Sequence, residues 1–277
     1  MGRTPAFSLV SAFMLTDSDM NKQYDLNPAE CARLINSSKA LAVLTGAGIS
    51  TAAGIPDFRG PKGLYVTRRY DPEKVFDIDW FDREPRYFYE FSRDFIGLMK
   101  KTKPTFAHRF LAGLEREGRL KGVITQNIDA LHSEAGSAKV IELHGSYRSA
   151  RCRSCGKHRK ELTYEWWDAA MEISRNPPTV FCPVCDGVLK PDIVFFGEPV
   201  HAITEAQQLV AECDLLLVLG SSLQVTPASM LPHCTTQTTI IVNKGHVILS
   251  PTPYRYFLEE DLDVFSRAVA ACLGLVV

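Results

Sequence analysis

The sequence has no apolar run that approaches the ~20 residues needed for a membrane-spanning helix. It also has no excess of either charge, because 31 Lys and Arg residues stand against 32 Asp and Glu residues, for a formal net charge of -1. A chain of 277 residues that is 45% hydrophobic is typical of a globular protein with one large domain carrying a smaller one. We therefore expect no membrane partner, and the neutral total disfavours a nucleic-acid surface.

Disulfides are not indicated either, although the chain has eight cysteines. Four of them form two Cys-x-x-Cys pairs, and the other four lie singly in apolar surroundings that are typical of buried thiols. This usage favours a reducing cytoplasm and a metal site over a secreted disulfide framework.

The two pairs are Cys152 with Cys155 and Cys182 with Cys185, separated by 26 residues that leave room for a helix at 162–174. Two such turns can close four thiolates around one zinc ion, whereas the alternative is two reduced or redox-active pairs. Four thiolates leave no open coordination position, so we predict a structural zinc. His144, eight residues before Cys152, is then not a ligand.

Short apolar runs alternate with amphipathic helical segments along most of the chain. The runs are 40–44, 122–125, 192–196, 215–219 and 239–242, and the helical segments are 28–38, 106–117, 204–213 and 263–273. Buried strands that alternate with helices predict an α/β fold with a doubly wound, Rossmann-like parallel sheet.

Two stretches interrupt this alternation and indicate insertions. We predict a loose leader at 1–24, a Rossmann-like sheet domain at 25–65, 105–147 and 190–277, a helical insert at 66–104 and a zinc-binding insert at 148–189. Ligands of doubly wound folds bind beyond the carboxyl ends of the strands, so inserts that emerge there would line a cleft.

A glycine turn follows the first predicted strand. Gly46, Gly48 and Thr51 match a dinucleotide fingerprint except for its third glycine, and this match alone is weak. The segment Gly-Ile-Pro-Asp-Phe-Arg-Gly at 54–60 strengthens it, because it places polar and aromatic side chains directly after the turn. The alternative is a tight turn with a surface Asp–Arg pair.

A second polar cluster, Thr-Gln-Asn-Ile-Asp at 125–129, follows another predicted strand. Gln126, Asn127 and Asp129 either line the site or cap a helix, and the pattern alone does not decide between these uses. His132 is predicted to be structural. His144, in Glu-Leu-His-Gly at 142–145, lies at a domain junction and is excluded from the metal, which favours a general base.

Together these motifs resemble those of the sirtuins. Eight motifs occur here in the order found in sirtuins. They are Gly-Ala-Gly-Ile-Ser, the 54–60 segment, Thr-Gln-Asn-Ile-Asp, Glu-Leu-His-Gly, the cysteine pairs, Lys-Pro-Asp-Ile-Val-Phe-Phe-Gly-Glu at 190–198, Gly-Ser-Ser-Leu-Gln-Val-Thr-Pro-Ala at 220–228 and Ile-Val-Asn at 241–243. The resemblance covers about residues 28–274 and is to the bacterial protein-deacylase branch.

The resemblance implies an NAD-dependent protein-lysine deacetylase of the transferase type that consumes NAD. The acyl oxygen would attack the ribose carbon as nicotinamide leaves, and neutral His144 would take a proton from a ribose hydroxyl. Water would then complete the release of lysine and O-acyl-ADP-ribose. Asn127 and Asp129 would hold the nicotinamide and its ribose and so share the catalytic role with His144.

The resemblance also implies the binding residues. Those for NAD would be Gly46, Ala47, Gly48, Ile49, Asp57, Phe58, Arg59, Tyr65, Gln126, Asn127, Ile128, Asp129, Gly220, Ser221, Ser222, Asn243, Lys244, Gly245, Asp263 and Val264. Those for an acyl-lysine protein or peptide, added to the cleft as a strand, would be Val194, Phe195, Phe196, Gly197, Glu198 and Val225. We expect one structural zinc, a monomer and a cytoplasmic location.

Two departures from the family pattern stand out. Ala53 occupies a position where many relatives have Ser. Relatives that remove acidic acyl groups carry a Tyr-x-x-Arg pair, and the stretch from Tyr89 to Arg93 does not supply it in register.

Three other activities compete with deacetylation. Mono-ADP-ribosyl transfer would use the same NAD site with a protein side chain as acceptor. A zinc-ribbon nucleic-acid binder would use the basic stretch around Cys152, and the neutral total charge opposes it. A hydride-transfer dehydrogenase is disfavoured, because no clear strand-end acid follows the glycine turn by ~20 residues.

Overall fold

The structure is a computed structural model that describes residues 26–56, 70–173 and 178–277. Its larger sheet has six strands, all parallel, in the order β3-β2-β1-β7-β8-β9. These strands are β1 Leu41–Thr45, β2 Leu120–Thr125, β3 Val140–Glu142, β7 Leu215–Leu219, β8 Thr238–Val242 and β9 Arg255–Leu258. The predicted Rossmann-like parallel sheet is thereby confirmed.

Helices cover both faces of this sheet, which explains why its central strands are apolar throughout. Leu41, Val43 and Leu217 point to one face, and they pack against the helices Pro28–Ser37, Phe106–Arg116 and Leu262–Leu273. Leu44 and Val218 point to the other face, which is covered by the helix Ile203–Ala211 and the 3-10 helix Ala228–His233. A strand that is buried on both faces cannot alternate apolar with polar residues.

A smaller module is built on an antiparallel sheet, β5-β4-β6. Its strands are β4 Gly145–Cys152, β5 His158–Arg159 and β6 Leu189–Ile193, and its helices are Pro72–Val75, Ile78–Arg83, Arg86–Met99 and Tyr164–Ile173. Phe88 from the helical insert, Trp167 from the cysteine-bearing insert and Tyr147 of β4 share one core. The two predicted inserts therefore pack as a single module.

The apolar run at 192–196 belongs to this module and not to the parallel sheet. Asp192 and Ile193 are the last residues of β6, which pairs antiparallel with β4, and β4 and β6 each extend beyond the predicted 148–189 insert. The pattern was misleading because a short apolar run fits a buried strand of either sheet. Strands β3 and β9 were not predicted, because they are edge strands of only three and four residues, too short for a clear pattern.

The short helix Leu131–Glu134 follows β2, and a 3-10 helix, Ala47–Ala53, follows β1. No helix in the described residues is long and apolar enough to cross a membrane. The cysteines, all of which are described, are free of disulfides.

Candidate active site

Four loops meet at the carboxyl edge of the parallel sheet. Strands β1 and β7 are neighbours in the middle of the sheet but distant in sequence, so the chain reverses its direction of winding between them. The loops after β1, β2, β7 and β8 all emerge there. A crevice at this position is where doubly wound sheets bind their ligands.

Glycine is required where the β1 and β7 loops touch. Gly46 N donates to Leu219 O at 3.0 Å, and Gly48 N donates to Gly220 O at 2.9 Å. A Cβ atom on Gly48 would lie 2.7 Å from the Cα atom of Gly220, which itself has a φ of 66°. The two backbones therefore pack directly on each other, and the N–H groups of Gly46 and Gly48 are used within the protein. The turn therefore has fewer free backbone N–H groups for an anionic ligand than its glycine-rich sequence suggests.

A cavity of about 760 Å³ lies over these loops. It brings together most of the predicted NAD residues, namely Gly46, Ala47, Gly48, Ile49, Gln126, Asn127, Ile128, Gly220, Ser221, Ser222, Asn243, Lys244, Gly245 and Asp263. The same cavity is lined by every predicted peptide residue, Val194, Phe195, Phe196, Gly197, Glu198 and Val225, and by His144.

The remaining predicted residues lie elsewhere. Val264 does not line the cavity, and its side chain is exposed at the start of the helix Leu262–Leu273. Asp129 lines a smaller cavity of about 120 Å³, which shares Ala47, Asn127 and Ile128 with the larger one. Asp57, Phe58, Arg59 and Tyr65 lie outside the described residues.

Several residues that line the large cavity were not among the predicted binding residues. They include Thr51, Phe76, Gln224, Thr226, His246, Glu260 and Asp261. Phe76 comes from the helical insert and Glu260 from the loop before the last helix. Neither position belongs to a motif, so no local signal marked it.

Ser50 connects the two polar loops. Its Oγ donates to Asp129 Oδ2 at 2.6 Å and accepts from Asn127 Nδ2 at 3.2 Å, and the same amide nitrogen donates to Gly46 O at 3.2 Å. Asp129 also accepts from Leu131 N at 3.0 Å. Burial raises the pKa of Asp129, and these hydrogen bonds to its ionised form oppose that shift. Asn127 and Asp129 are thus held in fixed orientations at the junction of the two cavities.

His144 lies where the two modules meet. Its Nδ1 is 2.7 Å from the carbonyl oxygen of Gln126, so Nδ1 carries the proton and the neutral ring has its lone pair on Nε2. Burial lowers the pKa of His144, which keeps the ring neutral near pH 7. The carbonyl of His144 accepts from Val194 N at 2.9 Å. The neutral ring therefore lies beside the segment that carries the predicted peptide residues.

The four cysteine sulfurs are close enough to share one metal ion. All lie within 4.8 Å of one another, with Cys152 Sγ 3.5 Å from Cys185 Sγ and Cys155 Sγ 3.9 Å from Cys182 Sγ. Zinc–sulfur bonds of about 2.3 Å at tetrahedral angles would place the sulfurs about 3.8 Å apart. The residues present fit a zinc site with four thiolate ligands, and His144 is not part of the cluster.

Comparison with known proteins gives consistent matches. The family model described as Sir2 family matches residues 46–227. An NAD-dependent protein deacetylase of Thermotoga maritima is 46% identical over 245 residues, which are 85% of this chain and 94% of that protein. An NAD-dependent protein deacetylase of Sulfolobus acidocaldarius is 42% identical over 243 residues, covering 84% and 90%.

Solved structures give the same picture. A Sir2 structure with a deacetylated p53 peptide and 3'-O-acetyl-ADP-ribose matches with a TM-score of 0.79 at 40% identity, covering 89% of this chain and 98% of that one. A Sir2 structure bound to a propionylated peptide matches with a TM-score of 0.76 at 39% identity, covering 89% and 98%.

Proposed function

The chain belongs to the Sir2 family and is an NAD-dependent protein deacetylase of the sirtuin type, and we propose from this premise that its large cavity holds NAD and an acyl-lysine side by side. The observation that carries the proposal is that one cavity is lined by the glycine turns, by His144 and by the segment Val194–Glu198. The two substrates must meet for the acyl oxygen to reach the ribose, and a shared cavity permits that.

The NAD end of the cavity is proposed at the four loops of the sheet edge. Ala47 and the serines after β7 would contact the diphosphate, and Asn243 with its neighbours would contact the adenosine. The smaller cavity, with Ser50, Asn127 and Asp129, would take the nicotinamide ring. Asp57, Phe58 and Arg59 remain proposed contacts from the resemblance alone.

His144 is proposed as the general base. A neutral imidazole with its lone pair on Nε2 can take a proton from a ribose hydroxyl, and the Gln126 carbonyl stabilises the resulting imidazolium through Nδ1–H. His144 is needed after nicotinamide has left, whereas Asn127 acts on the nicotinamide itself.

The acyl-peptide is proposed to lie between the segment Val194–Glu198 and Val225. Phe196 N donates to Phe76 O at 2.7 Å and Phe196 O accepts from Ile78 N at 3.2 Å, so this segment is already anchored to the helical insert on one side. An extended peptide can then add to the opposite side by β-strand pairing.

The four cysteines are proposed to hold one zinc ion. Because all four positions would be filled by thiolates, the metal would brace the module and take no part in the reaction. Because the cysteines form no disulfides, they favour action in the reducing cytoplasm. We propose that the protein acts as a monomer.

The activity can be tested with an acetyl-lysine peptide and NAD followed by mass spectrometry. We expect deacetylated peptide, nicotinamide and O-acetyl-ADP-ribose in equal amounts, and no reaction without NAD. A peptide or protein that gains ADP-ribose while the acetyl group stays in place would support mono-ADP-ribosyl transfer instead.

The acyl group should be small and uncharged. Arg93 is exposed and lines neither described cavity. Ser92 stands three residues after Tyr89, where a Tyr-x-x-Arg pair would have its arginine, and it is buried with its Oγ 2.7 Å from Tyr147 Oη. Burying a carboxylate without a partner is costly. We expect acetyl-lysine peptide to have a kcat/KM at least about tenfold higher than succinyl-lysine peptide of the same sequence. Similar values for the two peptides would show that a cation reaches the acyl group.

A further inference from the structure

Lys190 is a buried lysine with no place in the proposed reaction. It lies on β6, next to the cysteine-bearing end of the small sheet, and is only 6% exposed. Its Nζ is 2.8 Å from Glu198 Oε2 and donates to Ile193 O at 2.7 Å. A buried ammonium group requires such partners, because loss of water is otherwise uncompensated.

Glu198 uses the same oxygen to close a turn. Its Oε2 accepts from Phe195 N at 2.9 Å, and Glu198 N donates to Phe195 O at 3.0 Å. Gly197 within the turn has a φ of 92°, and a Cβ atom there would lie 2.9 Å from Ile78 Cγ2. The ion pair thus fixes the turn Phe195–Glu198, which lines the cavity, while Lys190 does not line it.

Arg153 connects the cysteine turn to the helical insert. It stands between Cys152 and Cys155 and binds Asp82 through two hydrogen bonds, at 2.8 and 2.5 Å.

The pKa of Lys190 depends on its burial and on the charged groups around it. Burial lowers the pKa of Lys190 and Glu198 opposes the shift, while Arg153 lowers it further and Asp192 raises it. The cysteine-bearing module is thus tied to the helical insert by Arg153 and to the turn Phe195–Glu198 by Lys190.

We propose that Lys190 is a positioning residue for the acyl-peptide, holding the turn Phe195–Glu198 in place relative to the cysteine-bearing module. Lys190 acts through Glu198 and does not touch either substrate. The inference rests on the proposed placement of the peptide beside this turn. It means that the affinity for the peptide depends in part on Lys190, which lies outside the cavity.

The test compares Lys190→Met, which keeps most of the length of the side chain without its charge, with Lys190→Arg, which keeps the charge. For Lys190→Met, we expect the Kd of an acetyl-lysine peptide to rise at least about tenfold, since the Glu198 carboxylate loses its partner. The Kd of ADP-ribose should stay within about twofold of wild type, because the glycine turns are untouched. Lys157→Met removes an exposed charge from the same module and should change neither constant.

Kinetics separate positioning from general damage. We expect Lys190→Met to raise the peptide KM while kcat at saturating peptide falls by less than about threefold, and Lys190→Arg to restore the KM. Should Lys190→Met fold poorly, Glu198→Gln breaks the same ion pair with its shape retained and should raise the peptide KM likewise.

An unchanged peptide KM in these variants would overturn the inference. An equal loss of ADP-ribose affinity or of bound zinc would also overturn it, because Lys190 would then only stabilise the fold. Failure of the proposed function is a different result, since wild-type protein would then neither bind nor deacetylate the peptide.

Discussion

Replacing His144 with alanine is expected to lower deacetylation at least ~10²-fold, the effect typical of losing a general base. The fold and the zinc content should be retained, because the ring makes its hydrogen bond at the cavity surface and is not part of the cysteine cluster. Exchange of labelled nicotinamide into NAD requires only the earlier step, so it should decline much less than deacetylation.

Asn127→Ala is the matched comparison. Its amide holds Gly46 and Ser50 beside the smaller cavity, so both exchange and deacetylation should fall. Full deacetylase activity in His144→Ala would make the residue a bystander, and loss of zinc in that variant would make it a ligand.

The pH profile of the wild-type enzyme provides a second measurement on His144. In the proposed role the neutral ring is the active form, and burial lowers the pKa of His144 below the ordinary value of 6.5. Activity should therefore rise with pH along an acid limb whose midpoint lies below pH 6.5 and remain level above it. In His144→Ala this limb should disappear from the residual activity.

Replacing Cys182 with serine is expected to unfold the smaller module. Structural zinc sites contribute about 10–16 kcal/mol of apparent binding free energy at pH 7, which exceeds the whole stability of many domains. Cys182 and Cys152 are buried in the same core as Trp167, so the loss should reach the aromatic residues. We expect bound zinc to fall from one per chain to nearly none and tryptophan emission to shift to the red.

Cys272→Ser is the control for this variant. Cys272 is exposed on the last helix, far in sequence from the cluster, and should change neither zinc content nor emission. A Cys182→Ser protein that keeps a full equivalent of zinc with unchanged emission would refute the four-thiolate site.

The parts of the fold that could be read from the sequence are those with a strong local signal. Strands β1, β2, β7 and β8 are apolar because both faces of the sheet are covered, and each ends in a polar or glycine-rich loop. The cysteine pairs have the spacing of a known ligand set. His144 was excluded from the metal by counting ligands, and the cluster of four sulfurs, to which its ring does not belong, agrees with that reasoning.

Residues whose role arises only from tertiary contacts could not be predicted. Ser50 looks like one more small residue in a turn, yet it links Asn127 to Asp129 across two loops. Phe76 reaches the cavity because its backbone pairs with that of Phe196, which is distant in sequence and also lines the cavity. Val264 failed to reach it because the helix that begins at Leu262 turns this side chain outward, and the sequence does not fix that rotation.

The direct contact of Gly46 and Gly48 with Gly220 limits how the cofactor specificity of this enzyme can be redesigned. A common strategy enlarges a cofactor analogue and trims a facing side chain to make room for it. Where these glycines meet there is no side chain to trim, and any added atom would separate the two loops. Asn243 and Lys244, which also line the cavity, do offer side chains that can be shortened. Under the proposed placement of NAD, an orthogonal analogue for this protein should therefore carry its extra group on the adenosine.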